Sequence, residues 1–350
     1  MRTDLFDYEL PPGLIAQRPA ERREDSRLLV VDCVSGDIAH RSFPDLVDYL
    51  EAGDCLVLNA SRVRHARLRG RKLEGGGEVE LLLLSPDPDG TWAALARPAR
   101  RLRPGTEVSF GGGELVAEVV EKSDRGELRV RMRPGELAAV EAAVERLGEI
   151  PLPPYIREMP PDPGRYQTVY ARDVGSAAAP TAGLHFEAAT LHRLEEKGVR
   201  TAFLYLDVGL DTFRPISEEE IEGHRIHSEN MRLDAEACET INAARGDGRM
   251  VVAVGTTVVR ALESAAGEGG VQPRQGATDL FIYPGYRFRA VDCLLTNFHM
   301  PRSSLLVLVC AFAGRETVME AYRQAAEEGY RFLSFGDACF FRYPGARGEG

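Results

Sequence analysis

A change of periodicity partway along the chain restricts the fold more than any other feature. From about Ala66 onward, short strand-like segments follow one another at 78–85, 91–97, 106–110, 114–121 and 127–132. Pro88-Asp89-Gly90, Pro104-Gly105, Gly111-Gly112-Gly113 and Asp124-Arg125-Gly126 separate them. Short strands at even spacing, with turn residues between them, predict a small antiparallel β-barrel. A helix follows, with Leu137, Val140, Val144 and Leu147 on one stripe and Gly148 as its stop. Ile150-Pro151-Leu152-Pro153-Pro154-Tyr155 is then a stiff, extended connector. Beyond it, helices are expected at 187–197, 234–245, 258–265, 303–312 and 316–328, and strands at 201–206, 250–254, 279–283, 291–295 and 332–335. Such alternation predicts a layered α/β domain. Upstream, 27–32 and 37–43 read as a hairpin, and 55–58 is a further apolar run. These N-terminal strands join the same sheet. The expected division is therefore a discontinuous α/β domain, residues 1–65 and 150–350, interrupted by a barrel at 66–149.

Composition narrows the function classes. The most apolar stretch, 305–312, is too short to span a bilayer, so no membrane association is expected. Met1-Arg2-Thr3-Asp4 lacks the start of a signal peptide, and a cytoplasmic location follows. The six cysteines, at 33, 55, 238, 293, 310 and 339, form no C-x-x-C pair. They read as buried free thiols, with metal or iron–sulfur ligation disfavoured. The net charge of −11 opposes bulk attraction to nucleic acid, but it is unevenly spread. From Arg62 to Arg133 there are 15 Lys and Arg against 11 Asp and Glu, a local balance of +4; the remainder carries 28 against 43, or −15. A basic module in an acidic chain fits a polyanionic partner held at one surface. From charge alone, a solvated charged face is the plainer account.

Four segments can carry chemistry. The run 251–254 leads through Gly255-Thr256-Thr257 into a helix bearing Arg260, a junction that places backbone N–H groups and hydroxyls against a ligand carboxylate or phosphate. The threonines serve equally as plain caps. In Ala179-Pro180-Thr181-Ala182-Gly183-Leu184-His185-Phe186, small residues let the backbone approach a flat ligand, and His185 precedes a helix. As a structural histidine it has even odds. His227 and Glu229 face the same way if their segment is extended, and a carboxylate beside an imidazole sets its tautomer and basicity. Thr296-Asn297-Phe298-His299 follows a strand, where open α/β sheets bind ligands; Asn297 and His299 read as base-recognition or proton-transfer groups, or as caps of the next helix. Walker, nucleophile-elbow, zinc-protease and dinucleotide-binding motifs are absent.

Taken in order, these segments resemble the S-adenosylmethionine:tRNA ribosyltransferase-isomerase family of queuosine biosynthesis. The likeness runs from Asp7-Tyr8-Glu9-Leu10-Pro11 through Tyr166-Gln167-Thr168-Val169-Tyr170, the 179–186 segment, His227-Ser228-Glu229 and Val254-Gly255-Thr256-Thr257-Val258-Val259-Arg260 to Thr296-Asn297-Phe298-His299 and Tyr330-Arg331-Phe332. It implies a three-layer αβα domain with an inserted small antiparallel β-barrel. It also implies a reaction: the ribosyl part of S-adenosylmethionine passes to 7-aminomethyl-7-deazaguanine at the tRNA wobble position and isomerises to epoxyqueuosine, with adenine and methionine released. S-adenosylmethionine is then a consumed substrate rather than a cofactor, no metal is needed, and a monomer is expected. Ylide formation at the ribose 5′ carbon needs a base, and departing adenine needs an acid. His185, Asp207, His227, Glu229 and His299 are the candidates for this proton traffic. Asn59, Arg62, Thr181, Gly183, Gly255, Thr256, Thr257, Arg260 and Asn297 are the candidates for substrate binding, with Arg260 suited to the methionine carboxylate.

The chain departs from the family pattern His-Val-Gly-x-Gly-Thr-Phe, reading Asp207-Val208-Gly209-Leu210-Asp211-Thr212-Phe213, and has Arg64-His65 where Ile-Pro is usual. Asp207 and Asp211 are expected at the active cleft, since they follow a strand. Two other classes stay open: another S-adenosylmethionine-dependent transferase on the same scaffold, and a non-catalytic RNA-binding relative.

Overall fold

Side-chain alternation along the strands decides the layering of the larger part of the chain. The computed structural model describes residues 1–87, 89–123, 126–209, 215–226 and 228–343; His227, Asp211 and parts of the turns at 88–90 and 124–126 lie outside the described residues. Two compact units divide the chain, Met1–Arg62 with Pro153–Gly350 and Val63–Leu152. In chain order the main strands begin with β1 (Arg27–Asp32), β2 (Ile38–Ser42) and β3 (Cys55–Asn59). The smaller unit holds β4 (Arg67–Lys72), β5 (Glu78–Pro86), β6 (Thr91–Arg97), β7 (Glu107–Phe110), β8 (Leu115–Lys122), β9 (Leu128–Arg133) and helix α1 (Leu137–Leu147). Then come α2 (Ala188–Glu196), β10 (Arg200–Leu206), β11 (Glu229–Leu233), α3 (Ala235–Gly246), β12 (Val251–Val254) and α4 (Thr256–Ala265). The chain continues through β13 (Arg274–Thr278), β14 (Cys293–Asn297), α5 (Ser304–Ala313), α6 (Arg315–Glu327) and β15 (Ala338–Arg342).

Among the described residues the larger unit forms a nine-stranded sheet in the order β13-β11-β10-β3-β12-β14-β15-β1-β2. Strands β10, β3, β12 and β14 run parallel at its centre. Strands β3, β12 and β14 are buried on both faces, and β10 fully on one. Val57, Leu204, Ala253 and Leu294 meet Ile241 of α3, Leu262 of α4, Val309 of α5 and Tyr322 of α6 in one core. Leu56, Val252, Val254 and Leu295 point the other way, onto Phe43, Phe186 and Leu194 of α2. This period-two division of side chains between two cores makes three αβα layers. Each fully buried Leu, Val or Phe contributes about 1.5–3 kcal/mol.

The smaller unit is a closed barrel, β9-β6-β5-β4-β7-β8. Leu68, Leu81, Trp92, Val108, Val119 and Val130 fill it, and Val140, Ala143 and Val144 of α1 pack on the same core. Closure leaves no strand edge unpaired.

Three expectations need correcting. No strand spans 279–283; the strand lies just before it, at β13, where Arg274, Gln275, Gly276 and Ala277 are exposed. An edge strand with its side chains in water carries no apolar signal. The 332–335 run is a buried turn, with Leu333 at φ +70°, and the strand is β15. Strands β4 and β11 form in polar stretches where none was expected. In β11 only alternate residues are buried.

Candidate active site

The parallel strands β12 and β14 end at a cleft of about 600 Å³, the place where open α/β sheets bind ligands. Strand β12 ends at Gly255, whose φ of +95° and ψ of 153° only glycine adopts without strain. Its N–H donates to the Leu295 carbonyl at 2.7 Å, which holds the end of β14 alongside. Helix α4 then begins with Thr256 and Thr257, both lining the cleft. The Val258 and Val259 N–H groups donate to the Gly255 carbonyl at 3.1 and 3.3 Å, whereas those of Thr256 and Thr257 precede any intrahelical acceptor, and Gly255 offers no side chain to cap them. The Thr257 hydroxyl is buried and has no hydrogen-bond partner among the described residues. An uncapped helix start beside an orphan hydroxyl is suited to an anionic group.

The facing wall is the 3-10 turn Thr181–His185. A Cβ at Gly183 would lie 1.9 Å from the Tyr170 hydroxyl, so this glycine permits packing beneath the cleft rather than contact within it. Thr181 and Asn297 line the cleft, and the Thr181 hydroxyl donates to Asn297 Oδ1 at 2.9 Å. His185 is buried behind Asn297, bonded to its Nδ2 at 3.1 Å and to Ser26 Oγ at 2.9 Å. Burial, with the nearby Arg331 and Arg23 cations, pushes its pKa down to about 3. His299 does line the cleft; its Nε2 meets Thr296 Oγ1 at 2.9 Å, and burial pushes its pKa down to about 3 as well. Both imidazoles are therefore neutral at pH 7. Tyr155 and Ser334, joined at 2.7 Å, complete one side. Neither was singled out from the sequence as a site residue, although Tyr155 ends a conspicuous proline-rich connector.

Other candidates lie elsewhere. Arg260 points away from the cleft and pairs with Glu229, both almost fully buried. Its Nε also donates to the Leu280 carbonyl at 3.0 Å, while Glu229 Oε1 accepts from the Gly209 N–H at 2.8 Å. Arg260 lies more than a turn into α4, on the face packed against β11 and β13, so the expected carboxylate clamp is instead an internal ion pair. Asn59 ties β3 to β10: its Nδ2 donates to the Leu206 carbonyl at 2.9 Å and its Oδ1 accepts the Leu206 N–H at 3.2 Å. The Arg62 N–H donates to the Asp173 carbonyl at 2.7 Å. Asp207 lines a second, more polar cleft with Asp173, Tyr205, Asn230 and Arg232, and accepts from Ser61 Oγ at 3.4 Å. Val208, one residue on, faces the first cleft.

The layered sheet and strand-end cleft define an α/β enzyme carrying an inserted β-barrel. Residues 3–341 match the family described as queuosine biosynthesis protein, and the chain belongs to that family. It is 55% identical over 339 residues to the S-adenosylmethionine:tRNA ribosyltransferase-isomerase of Moorella thermoacetica, covering 97% of this chain and 99% of the relative. It is 48% identical to the protein of the same name from Acetivibrio thermocellus, covering 98% of this chain and all of the relative. Among solved structures, S-adenosylmethionine tRNA ribosyltransferase from Thermotoga maritima is similar, with a TM-score of 0.56 at 37% identity, covering 96% of this chain and 99% of that one.

Proposed function

We propose that the protein transfers and isomerises the ribosyl moiety of S-adenosylmethionine onto 7-aminomethyl-7-deazaguanine at the tRNA wobble position, giving epoxyqueuosine-tRNA, adenine and methionine. The observation that carries this reading is the cleft itself: an uncapped start of α4 faces the acceptor-rich pair Thr181 and Asn297. Such a cleft suits a zwitterionic amino-acid tail on a flat nucleoside, and the names of the full-length relatives support the same substrate.

The chemistry follows from the wall. Among the described residues lining the cleft, none is an Asp, Glu, Lys or Arg, and His299 is neutral. A sulfonium placed there loses its hydration without gaining a counter-ion, which favours removal of the 5′ proton because the resulting ylide is neutral overall. His299, at the cleft, is the proton-transfer group this reading favours, with His227 retained as a second candidate. Thr256 and Thr257 hold the methionine carboxylate through their N–H groups and the Thr257 hydroxyl. Asn59, Arg62, Gly183 and the Arg260–Glu229 pair shape the scaffold. Asp207, beside the second cleft, is kept as a candidate for contact with the tRNA-borne base.

S-adenosylmethionine is consumed as a substrate, and the reading calls for no cofactor or metal. Among the described residues no helix is long and apolar enough to cross a membrane, and action as a cytoplasmic monomer on tRNA is part of the proposal. The test is incubation with precursor tRNA and S-adenosylmethionine, followed by chromatography and nucleoside mass analysis. Adenine and methionine in equal amounts, with epoxyqueuosine in the tRNA, are expected. S-adenosylhomocysteine in their place would make the protein a methyltransferase, and no product at all would leave an RNA-binding relative.

A further inference from the structure

The hydrogen bonds around Asn297 fix the side-chain protons of Asn297, Thr181 and His185. Asn297 Nδ2 lies 3.2 Å from the Leu333 carbonyl and 3.1 Å from His185 Nε2. A backbone carbonyl only accepts, so the atom facing it is the amide nitrogen, whichever tautomer the histidine takes. Its second hydrogen then goes to His185 Nε2, which must accept. His185 therefore carries its proton on Nδ1 and donates it to Ser26 Oγ at 2.9 Å, and Ser26 donates onward to the Arg23 carbonyl at 3.0 Å. On the other side the Thr181 hydroxyl gives its hydrogen to Asn297 Oδ1. Both Asn297 hydrogens and the Thr181 hydrogen are thus committed within the protein. What Asn297 and Thr181 have left for a ligand is lone pairs alone.

We propose that His185 is a positioning residue which, with its proton on Nδ1, joins the Leu333 carbonyl in locking the Asn297 amide, so that Asn297 and Thr181 present only acceptors to the cleft and select a ligand nitrogen bearing hydrogens. This deepens the reading above and rests on it. S-adenosylmethionine has two such nitrogens, the α-ammonium of its methionine part and the exocyclic amine of its adenine. Burial favours the uncharged imidazole, and the charged groups facing it, Arg23 and Arg331, do so too. Both ring nitrogens of His185 are bonded within the protein and the ring does not line the cleft, so His185 is withdrawn from the set of candidate bases.

Calorimetric binding of S-adenosylmethionine is compared with binding of its counterpart lacking the α-amino group and of its inosine counterpart. A site built to receive an N–H group rejects the ligand lacking it, so a loss of about tenfold or more is expected for one of the two, which identifies the nitrogen. His185→Gln keeps an acceptor for Asn297 and a donor for Ser26, and should retain that discrimination. His185→Leu should reduce it to less than about threefold, because Asn297 Nδ2 then loses one of its two acceptors and is held by the Leu333 carbonyl alone; thermal melting checks that both variants fold. In ¹⁵N-histidine spectra, the signal lost in His185→Gln should show a protonated Nδ1 and a bare Nε2, unchanged from pH 5 to 8. The inference is overturned if neither analogue is discriminated, if His185→Leu discriminates as the parent does, or if Nε2 carries the proton. Should the parent bind no S-adenosylmethionine, the functional reading fails, and the spectrum still decides the tautomer.

Discussion

Glu229 and Arg260 show how one side chain's direction separates a binding group from a structural one. Each is about 4% exposed, and they meet as an ion pair supported by the Gly209 N–H and the Leu280 carbonyl. Removing one partner of a buried pair leaves the other charge without compensation, at a cost of about 3–5 kcal/mol. Glu229→Gln should therefore lower stability to chemical denaturation by roughly that amount. The double variant Glu229→Gln, Arg260→Met should recover a large part of the loss, since no bare charge stays behind. If Glu229→Gln melts with the parent, the pair is not a structural element and a ligand role for Arg260 returns.

At the scale of the element, the start of α4 joins sheet geometry to ligand binding. Gly255 turns the chain at positive φ, and the next two residues leave their N–H groups and one hydroxyl facing the cleft. An unsatisfied buried hydroxyl costs about 1–3 kcal/mol in the empty protein. Thr257→Val keeps the shape and removes that hydroxyl, so the variant should be as stable as the parent or slightly more so. Its affinity for S-adenosylmethionine should fall by about tenfold, as expected for one hydrogen bond to a charged group. Unchanged affinity in titration calorimetry would reduce Thr257 to an ordinary first-turn residue.

Across the whole molecule, charge is divided as the fold is divided. Within the barrel unit many arginines are answered by carboxylates: Arg69 by Glu149, Arg71 by Glu78, and Arg129 by Asp87 and Asp89. Arg100, Arg101 and Arg103 are exposed beyond β6 and, among the described residues, have no acidic partner. Charges left open in this way are available to phosphates, and each phosphate neutralised releases counter-ions. Reversing all three to Glu should weaken tRNA binding in a filter assay and lower the salt-dependence slope by about 1 for each phosphate no longer neutralised, while S-adenosylmethionine affinity holds. Equal tRNA affinity in parent and variant would return this cluster to the status of a solvated face.

Local pattern by itself determined the helices, the central buried strands, the barrel inserted between them and the two strand-end junctions at 255–257 and 296–299. Each of these follows from periodicity or from a backbone need confined to a few residues, which a chain displays whatever its fold. The tertiary structure decided what lies beyond local reach. Strand β13 is an exposed edge held by pairing to β11, so its residues show no apolar pattern. The buried run at 332–335 is as apolar as a strand, and only the turn at Leu333 distinguishes it. In the same way, the sequence supplied His185, Asn297, Arg260 and Asp207 as polar groups near strand ends. Whether each faces the cleft, backs it, or turns to another partner depends on which distant segment packs against it: Ser26 behind His185, Glu229 beside Arg260, Ser61 over Asp207. Those partners are 159, 31 and 146 residues away along the chain, and only the folded sheet brings them within bonding distance.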